Sequence, residues 1–209
     1  MSIADSPLST FLDELAAGTP TPGGGSVAAL VGALAAGLES MVAHYTVGRE
    51  EFASVQPQVE EVLRSAESLR GELTSLVDAD VAAYAQVAAA YRLPRETAPE
   101  KKARTAAIQE ALKAACQVPV RTALACHHVL RLTRTLVDKG NPRLVSDVGV
   151  AAALAEAAFQ CAWLNVEVNL GAIRDQAYVE QVRRIIEPLL GKQQYLREDV
   201  WGQVVKMVR

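Results

Sequence analysis

Apolar residues return at three- and four-residue steps over most of the chain. Between Glu51 and Tyr91 they fall at Phe52, Val55, Val59, Val62, Ala66, Leu69, Leu73, Leu76, Tyr84 and Val87, with almost no helix breaker between them. That spacing keeps one face of a helix apolar and predicts one long amphipathic helix. At about 1.5 Å per residue it reaches roughly 60 Å. Ser6-Pro7 predicts a capped start for a short helix ending near Ala17, and Gly18 to Gly25 reads as a loop. A second helix is expected from Ser26 to about Val47. Its Ala28, Gly32 and Ala36 form a ridge of small residues along which another helix can approach closely. Thr97, Pro99 and Glu100 carry the capping-box pattern that opens a further helix. That helix is expected to reach Lys139, with Pro119 kinking or splitting it. Gly140-Asn141-Pro142 is a stop. Ser146 to about Ile173 is apolar on most sides, as a central helix is. One or two helices follow, with breaks expected near Pro188 and Gly191. No stretch alternates apolar and polar residues between turn signals. The expected fold is all-α, a bundle of long antiparallel helices forming a single domain over residues 1–209.

Composition narrows the chemistry. A chain of 209 residues can bury a full core, and half of its residues are hydrophobic while only 5% are aromatic. The net charge of −3 and the lack of a basic tract argue against a nucleic-acid partner. Cys116, Cys126 and Cys161 are widely spaced, form no CxxC pair and read as small core residues. They suit a reducing cytoplasm. No HExxH, GxSxG, Walker sequence or Glu-x-x-His pair occurs, so no metal site is expected. The N-terminus has no signal-peptide pattern. The longest apolar run, Val27 to Leu38, is too short for a bilayer and ends at Glu39, so no membrane contact is expected.

Several residues break the apolar pattern. Thr19-Pro20-Thr21-Pro22-Gly23-Gly24-Gly25-Ser26 is a stiffened turn, then three glycines, then a serine opening an apolar helix. Free N–H groups and a partial positive charge at such a start receive carboxylates and phosphates, and glycines let a ligand reach the bare backbone. A capped linker is the competing reading. The glycines follow a helix and a turn rather than a strand, which rejects a dinucleotide fingerprint. Asp80 stands on the stripe Leu69, Leu73, Leu76, Tyr84, Val87; it is either the edge of the stripe turning to solvent beside the outward Asp78, or a carboxylate that costs energy unless paired and becomes a candidate general acid or base. Asp147 begins a stripe of Ala151, Leu154, Ala158, Cys161, Asn165 and Asn169, and is either functional or a first-turn acid favoured by the helix dipole. Asn165 and Asn169 share a face, where they either hold a ligand's amide-like edge or tie helices together. Asp147 and Asn165 are separated along a straight helix by roughly 27 Å, which implies two different places in one subunit. Lys101, Lys102, Arg104 and Arg121 form a basic cluster, either a solvated face or a dock for a polyanionic tail.

Four segments, in order, resemble one family. They are Pro22-Gly23-Gly24-Gly25-Ser26-Val27-Ala28-Ala29; Asp80 to Tyr84 leading to Arg92-Leu93-Pro94; Lys102 to Gln109 with Val118-Pro119; and Gly140-Asn141, Ser146 to Ala151, Leu164-Asn165-Val166 and Val168-Asn169-Leu170. Together they are similar to the cyclodeaminase/cyclohydrolase family of folate enzymes, which includes the C-terminal domain of formimidoyltransferase-cyclodeaminase. The resemblance covers about residues 8–175. It implies a stand-alone helical homodimer that binds a tetrahydrofolate carrying a one-carbon unit, with no cofactor beyond that carrier. It implies either release of ammonia from 5-formimidoyltetrahydrofolate or hydrolysis of 5,10-methenyltetrahydrofolate to the 10-formyl compound, with the motifs leaning to the deaminase. Asp80 and Asp147 are then the expected catalytic carboxylates. Pro22, Gly23, Gly24, Gly25, Ser26, Arg104, Asn141, Ser146, Asn165 and Asn169 are the expected substrate-binding residues. A methyl group at Gly24 is expected to obstruct the ligand and to suffer at a positive φ. A silent folate-binding bundle and a helical assembly protein are the alternatives.

Overall fold

A computed structural model describes residues 2–209. Six helices carry nearly all of them: α1 (Leu8–Ala16), α2 (Gly24–His44), α3 (Gln56–Tyr91), α4 (Ala98–Lys139), α5 (Val145–Ala172) and α6 (Gln176–Val208). Short 3-10 turns at Glu50–Val55 and Pro142–Leu144 lead into α3 and α5. No strand occurs among the described residues. The all-α bundle is the one expected from the apolar periodicity.

Local chemistry sets the ends. The Glu100 N–H donates to Thr97 Oγ1 at 3.3 Å, and the Thr97 N–H donates back to the Glu100 carboxylate at 2.8 Å. This reciprocal pair fixes the start of α4. Gly18 and Gly48, at φ +73° and +76°, turn the chain after α1 and after α2. Four helices differ from expectation. α1 begins after Pro7, which takes the cap position itself. α2 begins at Gly24, so two of the three glycines are helical rather than loop. α6 continues unbroken through Pro188 and Gly191, and α4 is not split at Pro119. A proline removes one backbone bond and crowds one carbonyl. In α6 the flanking turns bury Val179, Val182, Ile186, Val200 and Val204, and that burial outweighs the local defect.

Helix α2 is central, packed against α3, α4 and α5, while α6 covers α4 and α5 from outside. Cross-bundle contacts give the directions. Ser26 meets Val77, Arg121 meets Glu72, Gln109 meets the Ala172 carbonyl and Arg197 meets Glu156, so consecutive helices from α2 to α6 run antiparallel. The small-residue ridge of α2 serves this packing. A Cβ at Gly32 would lie 2.7 Å from Cys126 Sγ and 3.1 Å from Leu73 Cδ2. Cys116 and Cys126 are buried as expected, and burial pushes their thiols up to about 11 and about 12. Cys161 is exposed, which corrects its assignment to the core.

Judged by helix length rather than by the run Val27 to Leu38, α2 and the segment Pro142–Ala172 are long and apolar enough to cross a membrane. More than half of the α2 window is buried inside the bundle, where its apolar sides face other helices. Helix α5 differs. Asp147, Val150, Leu154, Ala157, Cys161, Leu164 and Val168 follow one another at alternating steps of three and four, and this stripe faces outward. Val150, Leu164 and Val168 are 48%, 57% and 76% exposed. A heptad-like apolar stripe in water is unusual for an isolated domain.

Candidate active site

The start of α2 is capped from another helix. Gly23 occupies the cap position and offers no side chain. The acceptor is Asp80 of α3. The Ser26 N–H donates to Asp80 Oδ2 at 2.9 Å. The Ser26 hydroxyl, with one proton to give, lies 2.9 Å from the same oxygen and 3.2 Å from the Val77 carbonyl. Ser26 is fully buried and Asp80 half-buried. The positive end of the α2 dipole therefore faces the carboxylate. Because Oδ2 is the oxygen that faces Ser26, Oδ1 is left to meet a ligand.

Gly25 makes this approach possible. A Cβ there would stand 2.1 Å from Asp80 Oδ1, 2.6 Å from Cγ and 2.9 Å from Oδ2. No other residue fits without moving the carboxylate. Gly24 is exposed, and its Cβ would sit 3.6 Å from Asn165 Nδ2, an ordinary contact. Gly24 is helical, so the expected positive φ is corrected; only Gly18 and Gly48 have one among the described residues. Pro22 is buried at the foot of the loop.

Asn165 brings α5 to the same spot. Its Nδ2 donates to the Cys161 carbonyl at 2.8 Å, and Asn169 Nδ2 donates to the Asn165 carbonyl at 2.9 Å. Both amides thus spend a donor on their own helix and keep Oδ1 as an acceptor. Tyr84, one helical turn beyond Asp80 on α3, is 48% exposed and was expected only as a stripe residue and as the end of the segment that begins at Asp80. Its four-residue step from Asp80 was the available signal.

The other expected residues lie elsewhere. Asn141 donates from Nδ2 to the Tyr45 carbonyl at 3.3 Å and accepts the Arg143 N–H at 3.0 Å, which commits its amide to the turn beside the end of α2. Ser146 is exposed and Asp147 half-buried in the first turn of α5. That is roughly 27 Å along α5 from Asn165. Arg104 donates from Nη2 to the Tyr91 carbonyl at 2.9 Å and lies over the Tyr91 ring at 5.6 Å, closing the end of α3. Arg121 pairs with Glu72 at 2.9 Å. One chain therefore unites Gly24–Ser26, Asp80 and Asn165, carries Asn169 one turn further along α5, and leaves Asp147, Asn141, Ser146 and Arg104 apart. Among the described residues no three His, Cys, Asp or Glu side chains are grouped to hold a metal.

Residues 7–188 match the family described as Formiminotransferase-cyclodeaminase. The chain belongs to that family. It is 41% identical over 201 residues to methenyltetrahydrofolate cyclohydrolase of Methylorubrum extorquens, covering 96% of this chain and 97% of that one. It is 38% identical over 189 residues to formimidoyltransferase-cyclodeaminase of Rattus norvegicus, of which it spans only 35%. The crystal structure of formiminotetrahydrofolate cyclodeaminase from Thermotoga maritima superposes with a TM-score of 0.82 at 31% identity, covering 98% of this chain and 96% of that one. As a member of this family the chain is an enzyme, and its family match runs beyond residue 175, where the motifs end.

Proposed function

We propose that this enzyme hydrolyses 5,10-methenyltetrahydrofolate to 10-formyltetrahydrofolate, with Asp80 moving the protons. The observation that carries the reading is the Asp80 carboxylate. Ser26 holds one oxygen, and Gly25, having no side chain, lets the carboxylate lie against a bare helix start. The reacting carbon lies between N5 and N10 of the carrier. Water adds to it as Asp80 accepts one of its protons, which gives a tetrahedral carbon bearing a hydroxyl. The C–N5 bond then breaks as Asp80 returns the proton to N5. The hydroxyl oxygen becomes the formyl carbonyl on N10 and its proton leaves to solvent. No metal or further cofactor enters these steps. The Asn165 and Asn169 oxygens suit the N–H donors of the pterin edge, and Tyr84 offers it a face to stack on. The Gly24 and Gly25 N–H groups suit a ligand oxygen. Lys101 and Lys102, exposed at the start of α4, are the cations for a polyglutamate tail.

Hydrolysis comes first because the cyclohydrolase relative is 41% identical over 97% of its length, against 31% for the Thermotoga maritima cyclodeaminase at similar coverage. Deamination is the second reading, supported by the name of the Thermotoga maritima structure. There N10 attacks the formimidoyl carbon and Asp80 protonates the departing nitrogen, so the same carboxylate serves. Purified protein mixed with 5,10-methenyltetrahydrofolate is expected to abolish its near-ultraviolet absorbance with formation of the 10-formyl product. Ammonia release from the 5-formimidoyl compound alone would assign deamination, and neither reaction would remove the proposal.

The α5 stripe supports a homodimer, and the homodimer gives Asp147 a role. Antiparallel pairing of two α5 helices about a two-fold axis at Ala157 sets Val150 opposite Leu164. It sets Asp147 of the partner subunit opposite Glu167, between Asn165 and Asn169. Small residues at the axis, Ala153, Ala157 and Cys161, allow the close approach. The second carboxylate then reaches the site from across the interface. A cytoplasmic setting suits the three free cysteines.

A further inference from the structure

The seam between α4 and α6 is stitched by opposite charges except at its middle. Lys113 pairs with Asp175 at 3.0 Å towards one end, and Arg134 pairs with Asp199 at 3.2 Å towards the other. Between these two points of α6, Arg183 meets Glu167 and Arg197 meets Glu156 on α5. Arg131 and Lys192, between these stitches, have no ion pair among the described residues. They face a groove of about 520 Å³ lined by His127, Arg131, Gly191, Lys192, Tyr195 and Leu196, with no carboxylate in its wall.

One buried ring nitrogen of the groove, His127 Nδ1, has no hydrogen-bond partner. Such a group is costly when buried alone. Gln193, 1% exposed, lines the adjoining groove with Phe159 and Trp163, and its amide reaches the His127 ring from that side. Burial holds the His127 imidazole below its usual pKa, the Gln193 amide opposes this, and the charges of His128, Arg131 and Lys192 push further down. Every charged group acting on His127 is positive.

We propose that this groove is a second ligand site, taking the oxyanion of a small ligand, a phosphoryl or carboxylate group, between Arg131 and Lys192 over the His127 ring. It shares no residue with the Asp80 site. An oxyanion supplies the missing negative charge along the seam, and a guanidinium with an ammonium on a partly dry floor is a strong receiver for it. The chain carries three histidines, so ring resonances report the site directly. The full-length protein is titrated with inorganic phosphate and, separately, with succinate at fixed ionic strength. Saturable shifts of His127 and His128 with His44 unmoved are expected for at least one anion, and the tighter one identifies the source. Arg131→Gln with Lys192→Gln, both at the surface, is expected to weaken that binding by about tenfold or more. Circular dichroism checks that the pair is folded, and Lys192→Gln alone, expected to weaken binding about threefold, replaces it if not. Shifts that stay linear to about 20 mM for both anions, or an unchanged dissociation constant in the folded variant, would overturn the proposal.

Discussion

Gly25→Ala tests the site through a single methyl group. Its Cβ would lie 2.1 Å from Asp80 Oδ1 and 2.6 Å from Cγ, whereas non-bonded carbon contacts relax at about 3.5–4.0 Å. Asp80 must therefore retreat by roughly 1 Å or more, away from Ser26. The two Ser26 donors lose a charged acceptor, at about 1.5–3 kcal/mol for each bond. Half-burial lets water replace part of this, and alanine regains about 0.5–1 kcal/mol in the helix. The expected net loss is about 1–3 kcal/mol, or several degrees in Tm. The larger effect is on turnover, because displacing a reacting group by about 1 Å costs about a hundredfold. Gly24→Ala is the control for helix propensity. Its methyl meets Asn165 at an ordinary 3.6 Å, so stability is expected to hold or rise while folate binding weakens about tenfold. Urea melts, folate titration and kcat/KM on the two variants separate the effects. Unchanged kcat/KM and Tm in Gly25→Ala would refute the reasoning.

Three further outcomes are expected. Glu39 is fully buried in α2 without a partner, and desolvation raises its pKa well above the usual carboxylate value. The unfolded chain releases that proton near pH 4.3 while the folded chain keeps it, so the contribution is complete below that pH and falls by up to about 1.4 kcal/mol per pH unit above it. Glu39→Gln is expected to gain stability over wild type between pH 5 and 8 in urea melts, and a pH-independent difference would contradict this. Leu164→Asp, on the exposed α5 stripe, is expected to turn a sedimenting dimer into monomer with the helix content kept; a monomeric wild type or a dimeric variant speaks against the stripe. Mixing Asp80→Asn with Asp147→Asn protein is expected to restore up to about a quarter of wild-type activity, because a mixed dimer holds one intact site. No recovery after subunit exchange would deny Asp147 a role across the interface.

The bundle was legible because its signals are local and repeated. The three- and four-residue steps of α3 and the Thr97–Glu100 capping box each determine structure within a few turns. Pro188 misled because burial of the flanking turns of α6, a tertiary effect, outweighs the local defect. Asp80 was legible as a charge on an apolar stripe, and the glycine run as a bare helix start. Their meeting was not legible, since it joins residues 54 positions apart. Nor was it legible which glycine matters: Gly25 faces Asp80 and Gly24 does not, and only the packed helices distinguish them. Cys161 and Leu164 follow the same apolar spacing as buried residues, and periodicity alone cannot tell a core from an interface. Arg104 and Asn141 also have structural partners, Tyr91 and Tyr45, that their local sequence does not show.

The central claim is that Asp80 transfers protons at the folate one-carbon unit, and Asp80→Asn tests it most directly. An amide oxygen still accepts from Ser26, so fold and folate affinity are expected to stay close to wild type. Turnover of 5,10-methenyltetrahydrofolate is expected to fall by at least about a hundredfold. A folded variant that binds folate and turns over at a near-wild-type rate would contradict the account.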